Sequence, residues 1–220
     1  MKLSSIGRVG IFLFAGTILV SGASARPQTK PASKPASMAS DTGGVKALGS
    51  KSAPITMEVF EDFQCPACRN FYESSLKMVI DNYVNTGKVY LIHRDFPLDI
   101  HPYSHDAARL ANAAARLGQF EPVERALFDN QEKWSPNGKI DEAITTDVSA
   151  LKLKKIRDYE AAHMEEINSS IERDHTMGVQ RNVNQTPTIY VTSHGKTEAL
   201  PGGGVAYPLL KQYLDYLLRQ

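Results

Sequence analysis

Two cysteines, Cys65 and Cys68, lie where a predicted strand passes into a predicted helix. Residues 55–60 (ITMEVF) are mostly β-branched, aromatic or otherwise apolar, which is typical of a strand. Apolar side chains then recur at helical spacing over residues 71–83. A strand that leads directly into a helix restricts this part of the chain to an α/β unit, and it places the Cys-x-x-Cys pair at the helix N-terminus.

The rest of the chain also alternates between strand-like and helix-like segments, and this alternation predicts an α/β fold. Residues 88–93 (KVYLIH) and 188–192 (TIYVT) are predicted strands, with a weaker one near 197–200. Residues 102 to about 178 are rich in alanine and charged residues, as helices are, and residues 208–218 form an amphipathic closing helix. A helical insert at about 102–178 should therefore interrupt the sheet, which then resumes.

The N-terminus has the three parts of a secretory signal peptide. Lys2 and Arg8 supply positive charge, residues 9–20 (VGIFLFAGTILV) form an uncharged apolar run, and residues 23–25 (ASA) give a small-x-small cleavage pattern. We therefore predict a signal peptide over residues 1–25 that exports the chain to the periplasm or another extracytoplasmic location. The run is shorter than the ~20 apolar residues of a membrane-spanning helix. A retained membrane tether is the alternative in case the segment is not cleaved.

Residues 26–50 separate this segment from the predicted domain. They are rich in Pro, Ser, Ala, Gly and Lys, with little to bury, which predicts a flexible linker. Residues 51–220 have the length of one domain. The formal net charge is +1 at pH 7 and no basic stripe is visible, so we expect no nucleic-acid partner. The linker shows no dimerisation element, so a monomer is expected.

The position of the two cysteines predicts that their sulfurs differ in acidity. If the helix begins here, Cys65 is its N-cap and Pro66 its first residue, where proline is well tolerated. The Cys65 sulfur then faces unpaired N–H groups, including those of Ala67 and Cys68, and the positive end of the helix dipole. These groups stabilise the Cys65 thiolate, whereas Cys68 should keep an ordinary or raised pKa. Such an asymmetry distinguishes an attacking sulfur from a resolving one.

Two other interpretations of the cysteine pair remain open on the residues alone. A structural disulfide would close a loop of about four residues, which restricts the unfolded chain by only about 2 kcal/mol on the chain-entropy model. A zinc or copper site would need two more ligands, for which His101 and His105 are candidates. Each histidine also has a plainer role, because His101 can orient the helix after Pro102 and His105 can lie on an exposed helix face.

Several stretches together resemble the DsbA-like thiol–disulfide oxidoreductases, in particular their extracytoplasmic branch. They are residues 60–68 (FEDFQCPAC), residues 94–98 (RDFPL) followed by 101–102 (HP), an Ala-rich helical insert, residues 185–189 (QTPTI) before a strand, and a terminal helix. The resemblance covers nearly all of residues 51–220. It implies a thioredoxin-like fold with an inserted helical subdomain, and it implies neither a cofactor nor a metal.

The resemblance also implies roles for particular residues. Cys65 would be the nucleophile, Cys68 its partner, and Pro187 a cis-proline that faces them. A cis bond would turn the Thr186 backbone toward Cys65, where its N–H and C=O groups can pair with an extended client chain. The implied partners are client proteins with free thiols and a quinone-linked membrane protein that reoxidises the pair. The expected function is donation of the Cys65–Cys68 disulfide to secreted clients, with a reductase or isomerase as the alternative.

Two positions depart from the family pattern. The dipeptide between the cysteines is Pro66-Ala67, without the histidine that the best-known strong oxidants of this kind carry. One source of thiolate stabilisation is therefore missing, and a milder oxidant is expected. The position six residues before the nucleophile, where thioredoxin-like proteins often keep a buried acid, is Val59.

Two acids close to the pair are candidates for a supporting role. Glu61 can reach inward near Cys68 and accept a proton through water, with a solvated acid as the alternative. Asp62 is expected to be solvated, because its negative charge near Cys65 would oppose formation of the thiolate.

Overall fold

A computed structural model describes residues 45–220 of the chain. Its sheet consists of β1 (Ala47–Leu48), β2 (Ile55–Glu61), β3 (Val89–Asp95), β4 (Thr188–Ser193) and β5 (Lys196–Ala199). The spatial order is β1-β3-β2-β4-β5, in which β2 and β3 run parallel and the other neighbours antiparallel. A parallel pair needs a crossover connection, and the helical segment that follows Cys65 supplies it.

The helices lie in three regions of the described chain. α1 (Pro66–Phe71) and α2 (Lys77–Val79) belong to one continuous helical run with two π-helical turns, Tyr72–Leu76 and Ile80–Val84. The insert consists of α3 (Ser104–Arg116), α4 (Phe120–Asp129), α5 (Gln131–Trp134), α6 (Ile140–Ile144), α7 (Ala150–Ala162) and α8 (Met164–Gln180). The closing helix is α9 (Tyr207–Leu217). The prediction of an α/β fold is confirmed, and the insert extends from Ser104 to Gln180.

Alternation along β2 sends successive side chains to opposite faces of the sheet. Met57 packs in the larger hydrophobic core, whereas Phe60 packs with Phe96 in a smaller cluster. Gly178 of α8 lies against this smaller cluster, and a Cβ atom there would come within 2.6 Å of the Phe96 ring. The absence of a side chain at this position therefore lets α8 approach the sheet closely.

The folded part begins earlier than the sequence indicates. Residues 47 and 48 fall in the segment predicted as linker, yet they form β1 and pair with β3. The preceding Lys46 is only 5% exposed, and its ammonium group contacts the carboxylates of Asp95 and Asp174. A two-residue strand and a buried lysine produce no apolar periodicity. The sequence therefore did not indicate that this segment pairs with the sheet.

The predicted signal peptide over residues 1–25 and the linker up to residue 44 lie outside the described residues. Between residues 45 and 220, no helix is both long and apolar enough to cross a membrane.

Candidate active site

Cys65 lies at the N-terminus of α1. Its backbone is extended, with φ −73° and ψ 122°, and Pro66 is the first helical residue. The Cys65 carbonyl accepts the N–H of Arg69 at 3.2 Å, as an N-cap carbonyl does. The Cys65 N–H donates to the Asp62 carbonyl at 3.0 Å, which closes the preceding turn. The predicted N-cap position is therefore confirmed, and unpaired N–H groups of the first turn are available to the Cys65 sulfur.

Cys65 and Cys68 are both thiols in this structure, and both are largely buried. Cys65 is 7% exposed and Cys68 2% exposed. The Cys65 thiol faces the carbonyl of Thr186, with 3.5 Å between sulfur and oxygen. The Cys68 sulfur instead accepts the N–H of Asp62 at 3.4 Å. Cys65 therefore keeps the larger exposed fraction of the two residues.

The Thr186–Pro187 peptide bond is cis, as the resemblance to the DsbA-like family implies. The Pro187 carbonyl accepts the N–H of Gly203 at 3.1 Å, which ties this turn to the loop before α9. The Thr186 hydroxyl is buried and has no hydrogen-bond partner among the described residues. The polar contact of Thr186 with Cys65 is therefore made by its backbone, and the predicted approach of these two distant segments is confirmed.

The two thiols differ in acidity in the direction that the sequence predicts. The pKa of Cys65 is lowered from 9.0 to about 5, chiefly by a hydrogen bond from the Cys68 thiol. Burial opposes this shift, and hydrogen bonds from the N–H groups of Cys68 and Ala67 add to it. Burial raises the pKa of Cys68 well above 9.0, and the Cys65 sulfur raises it further. The partner thiol therefore lowers the pKa of Cys65 more than the backbone N–H groups that the sequence predicts.

Asp62 is buried, which corrects the expectation of a solvated acid. Its exposed fraction is 1%. Its carboxylate accepts hydrogen bonds from Gln64 N–H at 2.7 Å, Leu98 N–H at 2.9 Å and the Ser104 hydroxyl at 2.5 Å, and it lies 2.7 Å from His101 Nδ1. A carboxylate can be buried when donors satisfy its oxygens in this way. Asp62 therefore fastens the loop before the cysteines to the start of the helical insert.

Two glutamine side chains complete the attachment between this loop and the insert. Gln64 of the loop donates to the Ser135 carbonyl at 2.9 Å. In the opposite direction, Gln131 of α5 donates to the carbonyls of Phe63 at 2.6 Å and Cys65 at 3.0 Å. The loop before Cys65 and the helical insert thus each donate a glutamine amide to backbone carbonyls of the other.

Glu61 is also buried, at 4% exposed, so the alternative of a solvated acid is wrong for it too. Its carboxylate lies 2.8 Å from Nδ1 of His93, and the carboxylate of Glu124 lies 3.0 Å from the same nitrogen. Burial by itself lowers the pKa of His93, but the two carboxylates outweigh burial and raise it to about 10. Burial raises the pKa of Glu61 against the opposing effect of His93. The charge of Glu61 also contributes to the raised pKa of Cys68.

The metal interpretation of the cysteine pair lacks its additional ligands. Within residues 45–220, the one group of side-chain donor atoms close enough together to hold a metal ion is Glu61, His93 and Glu124. It does not include the cysteines. His101 Nδ1 lies 2.7 Å from the Asp62 carboxylate, and His105 is exposed on α3. The two histidines therefore do not complete a four-ligand site with Cys65 and Cys68.

A Cys-x-x-Cys pair at the N-terminus of a helix after a central strand, beside a cis-proline turn, defines a thiol–disulfide oxidoreductase. The chain belongs to the thioredoxin family, since the family model described as Thioredoxin matches residues 41–200. The predicted thioredoxin-like fold is thereby confirmed.

Known proteins agree with this assignment. The "probable disulfide bond formation protein D" of Bacillus anthracis is 27% identical over 159 residues, which cover 68% of this chain and 70% of that protein. The crystal structure of Wolbachia pipientis alpha-DsbA1 shares 22% identity with a TM-score of 0.66, over 78% of this chain and 89% of that one. Oxidised BdbD from Bacillus subtilis shares 20% identity with a TM-score of 0.63, over 80% and 93%. The resemblance to DsbA-like proteins is therefore confirmed at the level of the fold.

Sequence reasoning missed three residues that surround the pair: His93, Glu124 and Gln131. His93 is the last residue of the predicted strand 88–93 and directly follows the apolar residues 89–92. A polar side chain that is buried in a strand needs buried hydrogen-bond partners. Glu124 and Gln131 belong to a stretch that is simply predicted as helix. No local pattern marks them, because their partners lie in other segments of the chain.

Proposed function

We propose that the protein is an extracytoplasmic thiol–disulfide oxidoreductase that donates the Cys65–Cys68 disulfide to client proteins with free thiols. The observation that carries the proposal is the difference between the two sulfurs: the pKa of Cys65 is about 5, whereas that of Cys68 is raised well above 9.0. A stabilised Cys65 thiolate favours the reduced pair, and therefore favours transfer of the disulfide to a client. It also makes Cys65 a good leaving group.

The reaction would run through a mixed disulfide. A client thiolate attacks the Cys65 sulfur, the Cys65–Cys68 bond breaks, and Cys68 leaves with the electron pair and takes up a proton. A second client thiolate then attacks the client sulfur of the mixed disulfide and expels Cys65 as a thiolate. The client has lost two electrons and gained a disulfide, and the protein holds two reduced cysteines.

Thr186 and Pro187 are the proposed binding residues for the client backbone. The carbonyl of Thr186 lies beside the Cys65 sulfur, where it can accept an N–H from an extended chain. A groove of about 260 Å³ lies close by, and it is lined by Ala67, Asn70, Phe71, Ser74, Ser75 and residues 203–206. Since Ala67 borders both the groove and the cysteines, a client chain attached to Cys65 would have room to extend along it.

Glu61 is the proposed proton partner of Cys68. Its burial, its raised pKa and its charge interaction with Cys68 support this role. Cys68 must gain a proton when it leaves the disulfide and lose one when the pair is reoxidised. A buried carboxyl can exchange that proton through water.

The proposed location and partners rest on the predicted signal peptide and on the relatives. An exported chain meets secreted clients while their cysteines are still reduced. A quinone-linked membrane protein would reoxidise the pair after each cycle, and the protein would act as a monomer. The alternative is a reductase or isomerase, in which electrons pass from the protein to the client. That function would require a disulfide that is harder to reduce.

Oxidation of a reduced, unfolded ribonuclease tests the proposal. The oxidised protein should form disulfides in the client stoichiometrically, one per Cys65–Cys68 pair, and should continue catalytically when a small-molecule oxidant is supplied. Cys65→Ala should abolish the transfer. With the small-molecule oxidant present, Cys68→Ala should accumulate mixed disulfides between Cys65 and clients, because no second cysteine of the protein remains to displace the client.

The reduction potential of the pair decides the direction. A value well above that of thioredoxin, about −270 mV, is expected for an oxidase. A pair as reducing as thioredoxin, together with failure to oxidise the client, would instead support the reductase.

A further inference from the structure

Gln131 is the one side chain of the helical insert that is hydrogen-bonded to the backbone of Cys65 itself, among the hydrogen bonds described for residues 45–220. Its amide donates to the Cys65 carbonyl at 3.0 Å and to the Phe63 carbonyl at 2.6 Å. Gln131 is 3% exposed and opens α5. One amide group thus joins the carbonyls of residues 63 and 65, the two neighbours of residue 64.

We propose that Gln131 is a positioning residue that holds Cys65 as the N-cap of α1, and thereby makes thiol–disulfide exchange dependent on the helical insert. The inference rests on the proposed function and adds to it a residue outside the reacting pair. Within the described part of the chain, the hydrogen bonds of the Gln131 amide go to backbone carbonyls and not to a sulfur, so its proposed effect passes through the backbone.

The support for Gln131 is rigid. Trp134, at the other end of α5, is fully buried, and its indole N–H donates to the Leu127 carbonyl at 2.8 Å. The backbone of α5 is held as well, because the Gln131 carbonyl accepts the N–H of Ser135 at 2.8 Å, an ordinary helical hydrogen bond. A side chain anchored in this way can fix the orientation of two peptide units with little freedom of its own.

The physical link to the Cys65 sulfur is the geometry of the N-cap. The sulfur is stabilised as a thiolate by the Cys68 thiol and by the N–H groups of Cys68 and Ala67. These groups belong to the first helical turn, so they face the sulfur only while residue 65 keeps its extended conformation and its carbonyl points along the helix. Gln131 shares that carbonyl with the N–H of Arg69, the first helical hydrogen bond. Loss of the amide would therefore loosen the N-cap and weaken the contacts to the sulfur.

The variant Gln131→Met tests the proposal, because it keeps the length of the side chain and removes both donors. Asn130→Leu is the matched control. Asn130 is the adjacent buried amide, at 4% exposed, but it donates to the Ala126 carbonyl and to Asp147, away from the cysteine loop. Thiolate absorbance against pH, alkylation rates and the equilibrium with glutathione are measured on both reduced variants and on the wild type.

We expect Gln131→Met to raise the midpoint of the Cys65 titration by about one pH unit, the size of one N-cap interaction. The alkylation rate near pH 5 would then fall about fivefold, and the glutathione equilibrium at pH 7 would shift about tenfold toward the protein disulfide. Asn130→Leu should lower the free energy of unfolding and leave the titration midpoint, the alkylation rate and the glutathione equilibrium unchanged. Gln131→Asn is the milder second variant in case the methionine protein does not fold, and it should shift the midpoint in the same direction.

Folded Gln131 variants that titrate like the wild type would overturn the proposal and reduce Gln131 to a structural amide. That outcome leaves the proposed function intact, since the wild-type protein would still oxidise its client. An inactive wild type is a different result and would contradict the proposed function instead.

Discussion

The chemical difference between Cys65 and Cys68 arises within one turn of helix. Cys65 occupies the N-cap and keeps a little exposure, whereas Cys68 is enclosed by the core and accepts the Asp62 N–H. A hydrogen bond between the two thiols lowers the pKa of one and raises that of the other. The position of each sulfur on the helix therefore decides which of them is a thiolate at neutral pH.

The first prediction concerns the order of reaction of the two thiols. In the reduced protein at about pH 6, Cys65 should be about 90% thiolate, because its pKa is about 5. Cys68 should be almost entirely protonated, so iodoacetamide should modify Cys65 and spare Cys68. Mass spectrometry of the digested protein, sampled over time and over a range of pH, gives both rates.

A synthetic peptide of residues 62–70 is the matched control for this measurement. It carries the same two cysteines without the folded helix, so both of its thiols should react slowly near pH 6. Equal reactivity of the two thiols in the folded protein, or a half-maximal rate for Cys65 near pH 9, would contradict the assignment.

At the scale of elements, buried polar side chains join the strands to the helical insert. Asp62 links the end of β2 to the start of α3 through Ser104. His93 of β3 lies between Glu61 of β2 and Glu124 of α4. These contacts hold the cysteine-bearing loop against the insert, and each leaves an uncompensated group if one partner is removed.

The second prediction is that Asp62→Asn destabilises the protein. An asparagine has one acceptor oxygen and an NH₂ group, so it cannot serve all four of the donors that surround Asp62. We expect a loss of about 1–3 kcal/mol in the free energy of unfolding, measured in urea. The control is Asp99→Asn, at an exposed position in the loop between β3 and α3. It should change the free energy of unfolding by less than about 0.5 kcal/mol. Equal effects of the two variants would mean that the Asp62 contacts contribute little.

The third prediction concerns His93 and the pH dependence of stability. The pKa of His93 in the folded protein is about 10, above its ordinary value of 6.5. The stabilisation from the imidazolium is therefore complete below about pH 6.5 and is lost as the pH rises toward 10. Urea unfolding of the wild type should show this decline between those values.

The variant His93→Gln should lack the decline and should be less stable at neutral pH by about 3–5 kcal/mol, since two buried carboxylates lose their cation. His105→Gln, at an exposed position on α3, is the control and should keep the wild-type dependence. A wild-type stability that stays flat up to pH 10 would show that His93 is not the cation of this cluster.

At the scale of the whole molecule, the redox state of the pair is coupled to the stability of the fold. Closing a loop of about four residues stabilises a protein by only about 2 kcal/mol through the unfolded chain. The Cys65 thiolate acts in the opposite direction, because a pKa lowered from 9.0 to about 5 stabilises the reduced folded state. The balance decides whether the protein gains or loses stability when it gives up its disulfide.

The fourth prediction is that the reduced protein is more stable to urea than the oxidised protein at pH 7. The contribution of Cys65 is present in full above its unfolded pKa of about 9. It is lost as the pH falls through about 5, so the advantage of the reduced form should shrink there. Unfolding of both forms between pH 4 and pH 8 measures this. An oxidised form that is more stable throughout would favour a structural bridge or a reductase.

Much of the fold followed from local patterns. The strand before the cysteines, the helix after them and the alternation of faces on β2 were predictable, because apolar periodicity depends on near neighbours in the chain. The N-cap position of Cys65 was predictable for the same reason, since Pro66 marks the first helical residue. The burial of Lys46 was not predictable, because its two carboxylate partners lie in β3 and α8, far away in the sequence.

The sequence by itself determined the α/β order, because periodicity within each segment depends on near neighbours. It also determined the site of the cysteine pair and the sign of its acidity difference, which are decided within a few residues of one helix start. Only the tertiary structure decided that Asp62 and Glu61 are buried, and that Gln131 and His93 stand beside the cysteine loop. The physical reason is that a carboxylate is buried only when its donors converge on it. Those donors come from β3, α3 and the loop between them, which meet β2 only in the folded protein.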